Sequence, residues 1–153
     1  YAFYHDVMQL GEPLKKIVHS LRDAGIRVSL FIEADARAIE ASAHMGADIV
    51  ELHTGQYCER ALEDDAKGVA KEVERLRKAA QLADEMGLEV HAGHGLTYNT
   101  VAPVARMPQM VELNIGHFLI GEAIFGGLHS AIRHMRTLMD QARAEPKRPL
   151  AAQ

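Results

Sequence analysis

The sequence predicts an α/β fold: a (β/α)8 TIM barrel, of which this chain supplies roughly the second half, strands five to eight and their helices. Three observations predict it. Helix-like and strand-like segments alternate four times, the mark of a parallel sheet. Three junctions, "LRDAGIRVSLFI", "ASAHMGADIVELH" and "ADEMGLEVHAG", repeat one design: a helix tail, a glycine, then an apolar strand. Each strand also alternates, with apolar residues on one side and a glutamate on the other (Glu33, Glu51, Glu89, Glu112). Strands of an open doubly wound sheet are covered on both faces and read apolar throughout. One apolar and one polar face suits a barrel with helices outside and a polar layer inside. Four strands cannot close a barrel, whereas eight can.

The elements follow in chain order. A helix over 11–24 ends at Gly25, and a strand over 28–33 follows. A helix over 36–45 ends at Gly46 and leads into a strand over 49–53. A long helix over 62–86 is amphipathic, with Val69, Val73, Leu76, Ala80 and Ala83 at helical spacing. Gly87 stops it before a strand over 88–92. A helix over 99–106 is stopped by Pro108, and the fourth strand runs over 111–115. A short apolar helix, "HFLIGEAIFGG", comes next. The last helix, over 127–143, is expected to bury Leu128, Ile132, Met135 and Met139. Alternation puts Val111, Leu113 and Ile115 on the helix side with the other apolar residues. Residues 1–143 are expected to be the C-terminal part of a single barrel domain, and 144–153 a frayed tail.

Composition narrows the class. Of 153 residues, 48% are hydrophobic and 25% charged, as in an ordinary globular domain. A net charge of −4 argues against a nucleic-acid binder, and no apolar run is long enough to span a membrane. No secretory layout is visible in residues 1–10. The single cysteine, Cys58, cannot form an internal disulfide and reads as an incidental loop thiol. A cytoplasmic location is expected. The chain opens on Tyr1 and enters a helical pattern at once, so a longer biological polypeptide is expected.

The chemistry should lie at the C-terminal ends of the strands, as in other barrels. Those ends read "ELHTG", "HAGHG" and "NIGH". Gly93 and Gly95 let the backbone approach a ligand, and Gly116 precedes the short apolar helix, whose positive end can receive a phosphate. His94 lies beyond the strand in the turn facing the mouth, where an imidazole can donate a proton near neutral pH. His117, at a helix N-terminus, reads as a neutral ligand contact. Glu51, His53 and His91 are possible supporting residues, with His91 alternating inward beside Glu89. Glu33, Glu89 and Glu112 read as a structural network. Their cationic partners are expected on the missing strands, because the visible strands supply only His53 and His91. A three-histidine metal site of His53, His91 and His94 is the rival reading, but alternation puts His94 on a different path from His91. "GHG" lacks the third glycine of a dinucleotide turn.

These residues resemble a known family. "AGIRVSLFIEAD", "ELHTGQY", "LEVHAGHGLTYNT" and "ELNIGHFLIGEAIFGGL" look like the pyridoxine 5'-phosphate synthase family over about residues 12–143. The resemblance implies a (β/α)8 barrel with extra helices, assembled as a homo-oligomer, an octamer built from dimers. It implies condensation of 1-deoxy-D-xylulose 5-phosphate with 3-amino-2-oxopropyl phosphate to pyridoxine 5'-phosphate, phosphate and water, with no metal or organic cofactor. It puts the proton donor on His94, a contact to the aminooxopropyl phosphate on Gly95, and a Gly-His pair holding the same substrate on Gly116 and His117. The family's first-half residues have no counterpart here: an Asn-x-Asp-His stretch, a base histidine with an arginine, and a glutamate base. Two other functions compete: another phosphate-binding barrel, such as a sugar-phosphate isomerase or aldolase, and a non-catalytic half-barrel assembly module.

Overall fold

The computed structural model describes residues 6–144. Its elements are α1 (Asp6–Asp23), β1 (Ser29–Ile32), α2 (Ala36–His44), β2 (Ile49–His53), α3 (Gly55–Leu62), α4 (Ala66–Glu85), β3 (Glu89–Gly93), α5 (Val101–Ala105), β4 (Met110–Asn114), α6 (His117–Gly126) and α7 (Leu128–Ala144). The four strands are parallel and lie in chain order, β1-β2-β3-β4. Consecutive strands joined by helices and lying side by side are half of a TIM barrel. Gly25, Gly46 and Gly87 have φ of 76°, 82° and 78°, the left-handed conformation that closes a helix before each of the first three strands. The expected frayed tail lies outside the described residues except for Ala144, which closes α7.

Burial follows the strand alternation. Leu30, Ile32, Val50, Leu52, Val90, Ala92 and Met110 are buried on the helix side with Ile39, Leu76, Ala80, Ala83 and Val104. Each fully buried valine, leucine or isoleucine among them contributes about 1.5–3 kcal/mol. Val69 and Val73 pack against the same core, so α4 presents the apolar face that its spacing predicts. A smaller core joins Val101, Ala105, Met135 and Ala142 where α5 meets α7. Arg143 closes that end by donating to the carbonyl oxygen of Met110.

The opposite face is polar. Phe31, Glu51, His91 and Glu112 pair in one row across the sheet, and His53, Gly93 and Asn114 in the next. Among the described residues the buried apolar clusters lie on the other face, and this one is the interior of the half-barrel.

Several expectations are corrected. The helix predicted over 62–86 is α4, which starts four residues later at Ala66, and a separate helix, α3, that the sequence reading does not predict precedes it. The chain breaks at Asp64, with φ of 55°, and Asp65 caps α4 by accepting from the Gly68 amide at 2.9 Å. Cys58 therefore lies buried in α3, not in a loop, and burial pushes its thiol pKa up. Val111 does not join the apolar side. A register irregularity between Val90 and His91 pairs Val90 with Met110 and His91 with Glu112, and Val111 is 66% exposed. One extra residue at a bulge breaks the period of two on which the alternation rests. Met135 is buried and Met139 packs beside it, but Leu128 and Ile132 are about half exposed. They begin α7 beside α6, which buries none of its residues, so no neighbour covers them.

Candidate active site

Three strand ends stand side by side because His53 pairs with Gly93 and Gly93 with Asn114. The turns that leave them enclose a cleft of about 760 Å³. His94, Gly95, Gly116, His117 and Glu51 all line it, with Phe31, Thr97 and Asn114. His53 lies directly behind: its ring is 4.7 Å from that of His94, tilted by 42°, and meets Phe31 edge-on at 5.3 Å. His91 is not in the cleft. It sits a layer deeper, buried, with Nε2 2.8 Å from Glu89 and Nδ1 3.7 Å from Glu112. The three histidines are thus not assembled as a set. Among the described residues no group of three His, Cys, Asp or Glu side chains is placed to hold a metal ion.

The turn after β3 has an unusual backbone. His94 has φ of 77° and Gly95 φ of 84°. Glycine adopts that conformation freely; a histidine held there costs about 1–2 kcal/mol, so the surroundings must fix it. The surroundings are α3. Thr54, wholly buried, donates its hydroxyl proton to the carbonyls of Gly93 and His94, at 2.7 and 2.6 Å. The Tyr57 hydroxyl donates to the Thr100 carbonyl at 2.9 Å, at the far end of the same loop. Cys58 packs under Gly95, where an added Cβ would stand 3.1 Å from the Cys58 Cβ. Gly55 makes room for the histidine pair, since a Cβ there would meet His53 Cε1 at 2.6 Å and His94 Cδ2 at 3.2 Å.

Glu51 enters from β2. Asn114 Nδ2 donates to its Oε2 at 2.9 Å, and Gly93 leaves the space its other oxygen fills. Burial raises the Glu51 pKa above the usual carboxylate range, opposed in part by the Asn114 hydrogen bond. A carboxyl so poised can exchange a proton nearer neutrality. On the other side Gly116 caps α6. The first α6 amides have no partner within the helix and, with the helix dipole, favour an anion. The space beside the Gly116 α-carbon is open, with no neighbour within 4 Å of where a Cβ would stand.

Behind the histidines runs a charged chain. Arg75 of α4 donates to Glu33 at 2.9 Å and to Glu72 at 2.7 Å, and Glu33 Oε1 lies 3.4 Å from His53 Nδ1. At the opposite end of the sheet Arg27 donates to Glu89 at 2.8 Å. The cationic partners expected from missing strands therefore come, for Glu33 and Glu89, from this chain. A count of strand residues could not find Arg75, whose long side chain reaches 42 positions back from a helix.

The proximity of Glu33 does not make His53 a cation. Burial, and then the neighbouring His94 ring, push its pKa down to about 4, so the ring is neutral at pH 7. An unfolded histidine titrates near 6.5. Between those values the unfolded chain takes up a proton that the folded one refuses. Stability from this residue is complete above pH 6.5 and falls as the pH drops towards 4, by up to about 3 kcal/mol. Urea unfolding at pH 7 and pH 5 measures it. His53→Gln flattens the dependence, which separates His53 from Glu33 and Glu51, whose raised pKa values act in the opposite direction.

Fold and site together define half of a TIM barrel whose polar mouth lies at the C-terminal ends of its strands. The chain belongs to the family described as pyridoxal phosphate biosynthesis protein PdxJ, whose model matches residues 5–141. It is 61% identical over 130 residues to a pyridoxine 5'-phosphate synthase of Cereibacter sphaeroides, covering 85% of this chain and 52% of that protein. It is similar to two more proteins of that name. The one from a Caulobacter species is 57% identical over 140 residues, 92% of this chain and 56% of that protein. The one from Rhodospirillum rubrum is 57% identical over 139 residues, 90% and 54%. The chain spans about half the length of the curated relatives it matches.

Proposed function

We propose that the chain is the C-terminal part of a pyridoxine 5'-phosphate synthase, condensing 1-deoxy-D-xylulose 5-phosphate with 3-amino-2-oxopropyl phosphate by general acid–base catalysis. The observation that carries the reading is the convergence of His94, Gly95, Gly116 and His117 on one cleft. Family membership and the names of its relatives support the product, and the two substrates are those the family resemblance implies. Gly95 and the Gly116–His117 turn receive the phosphate of the aminooxopropyl substrate. His94 donates a proton to a departing oxygen. Glu51 holds or relays a second proton across the cleft, steadied by Asn114. His53 stays neutral and supports the His94 ring, while His91 keeps its place in the deeper ion-pair layer.

Imine formation, loss of phosphate, loss of water and ring closure all move protons, and this chain brings only part of the machinery needed. The first-half residues named above complete it. A Schiff-base aldolase would need a strand-end lysine, and none of β1–β4 ends in one. A homo-oligomer is the assembly this reading carries, supported by the exposed Ile120, Ile124 and Phe125 of α6. The cytoplasm, where phosphorylated substrates are retained, is the compartment it implies. Among the described residues no helix is long and apolar enough to cross a membrane.

The test is direct. The complete polypeptide, given both substrates, forms pyridoxine 5'-phosphate and releases inorganic phosphate. Turnover of neither substrate when both are present overturns the reading.

A further inference from the structure

We propose that Thr54 is a positioning residue for His94: its buried hydroxyl holds the turn after β3 in the left-handed conformation that sets the His94 imidazole against His53 and towards the cleft. This rests on the reading of His94 as proton donor. Four observations carry it.

The first is the strain. His94 is one of two non-glycine residues with positive φ among those described, at 77°. Such a residue persists where its neighbours over-determine it. The second is the contact itself. One threonine proton faces two carbonyl oxygens, of Gly93 at 2.7 Å and of His94 at 2.6 Å, and the Thr54 amide also donates to Gly93 at 2.9 Å. These carbonyls belong to the peptides on either side of the strained His94 backbone. The third is what the hydroxyl forgoes. Thr54 occupies the N-cap of α3, where a threonine side chain ordinarily accepts from the amides of the first turn, yet it makes no capping bond. The helix gives up its cap and the turn gains the hydroxyl. The fourth is burial: Thr54 is 0% exposed, so water does not supply the same bond if the hydroxyl is removed.

The test uses the complete polypeptide and three measurements. Thr54→Val keeps the shape and removes the hydroxyl; Thr54→Ser keeps the hydroxyl. Steady-state kinetics on Thr54→Val shows kcat lowered about 10- to 100-fold with KM changed less than about threefold, as a displaced catalytic group requires. Thr54→Ser restores kcat to within about threefold of wild type, since the hydrogen bond is regained. Histidine-labelled NMR, with the His94 ring signals assigned by their loss in His94→Asn, shows those signals shifted or broadened in Thr54→Val and unchanged in Thr54→Ser.

Wild-type His94 signals in Thr54→Val overturn the proposal, whatever happens to turnover. So does a serine variant as impaired as the valine one. If Thr54→Val does not fold, Thr54→Cys replaces it, because a thiol fills the space but donates weakly. If His94→Asn costs little turnover, the assignment of His94 as proton donor fails. The NMR comparison still decides whether Thr54 holds the turn.

Discussion

Replacing His94 with asparagine lowers kcat by about 10²- to 10⁴-fold, the range that general acid–base groups contribute. That is roughly 3 to 5 kcal/mol of barrier at 1.36 kcal/mol per tenfold. Asparagine suits the position because it is among the residues that tolerate positive φ best, so the turn at 77° survives the exchange. It keeps a polar tip and cannot shuttle a proton at neutral pH. Steady-state kinetics of the complete polypeptide, with calorimetric binding of the aminooxopropyl phosphate, measures both quantities. Affinity stays within about threefold of wild type if His94 acts in the transition state. A collapse of affinity with kcat down less than about tenfold makes His94 a ligand clamp instead.

The second large effect is expected at Gly55. In the first turn of a helix, glycine to alanine ordinarily stabilises by about 0.4–1 kcal/mol, because the unfolded chain loses freedom. Here the sign reverses. The new methyl would stand 2.6 Å from His53 Cε1 and 3.2 Å from His94 Cδ2. The His53 side chain is only 12% exposed and has little room to swing. Overpacking of this kind costs about 1–3 kcal/mol, more than the alanine gain. Gly55→Ala therefore lowers the urea midpoint, and it lowers kcat by at least about tenfold as the two histidine rings separate. An alanine variant more stable than wild type would show that α3 can shift and that the ring pair is not confined.

The layered fold was legible because its signals are local. The glycine before each of the first three strands is a chain-neighbour effect, and so is the period of two that separates Leu52 from Glu51 and His53. The grouping of His94, Gly95, Gly116 and His117 followed from the same logic: strand ends of a parallel sheet lie together. What escaped depends on contacts distant in sequence or on one-residue irregularities. Val111 was misplaced because a bulge shifts the phase. The helix α3 was missed because it is entered through Thr54 and Gly55, which read as a turn; the alternatives differ only in how these two residues are used by a loop about 40 residues away. Arg75 stands on a helix face that the amphipathic pattern leaves to solvent, and only the fold turns it towards Glu33. The left-handed backbone of His94 has no signature at all in the residue itself. A rule that searches strand ends for buried threonines followed by glycine would have found its clamp.

Cys58 gives this arrangement a clock. The residue is 4% exposed, with its side chain beneath Gly95, and burial raises the thiol pKa, so a thiol reagent meets it only when the turn and α3 part. The rate of labelling is then the intrinsic thiolate rate multiplied by the fraction of time the pair stands open. Within these 153 residues no other cysteine competes for the reagent. Labelling at the pace of whole-chain unfolding makes turn and helix one cooperative unit. Faster labelling makes the turn after β3 a separate, shorter-lived one.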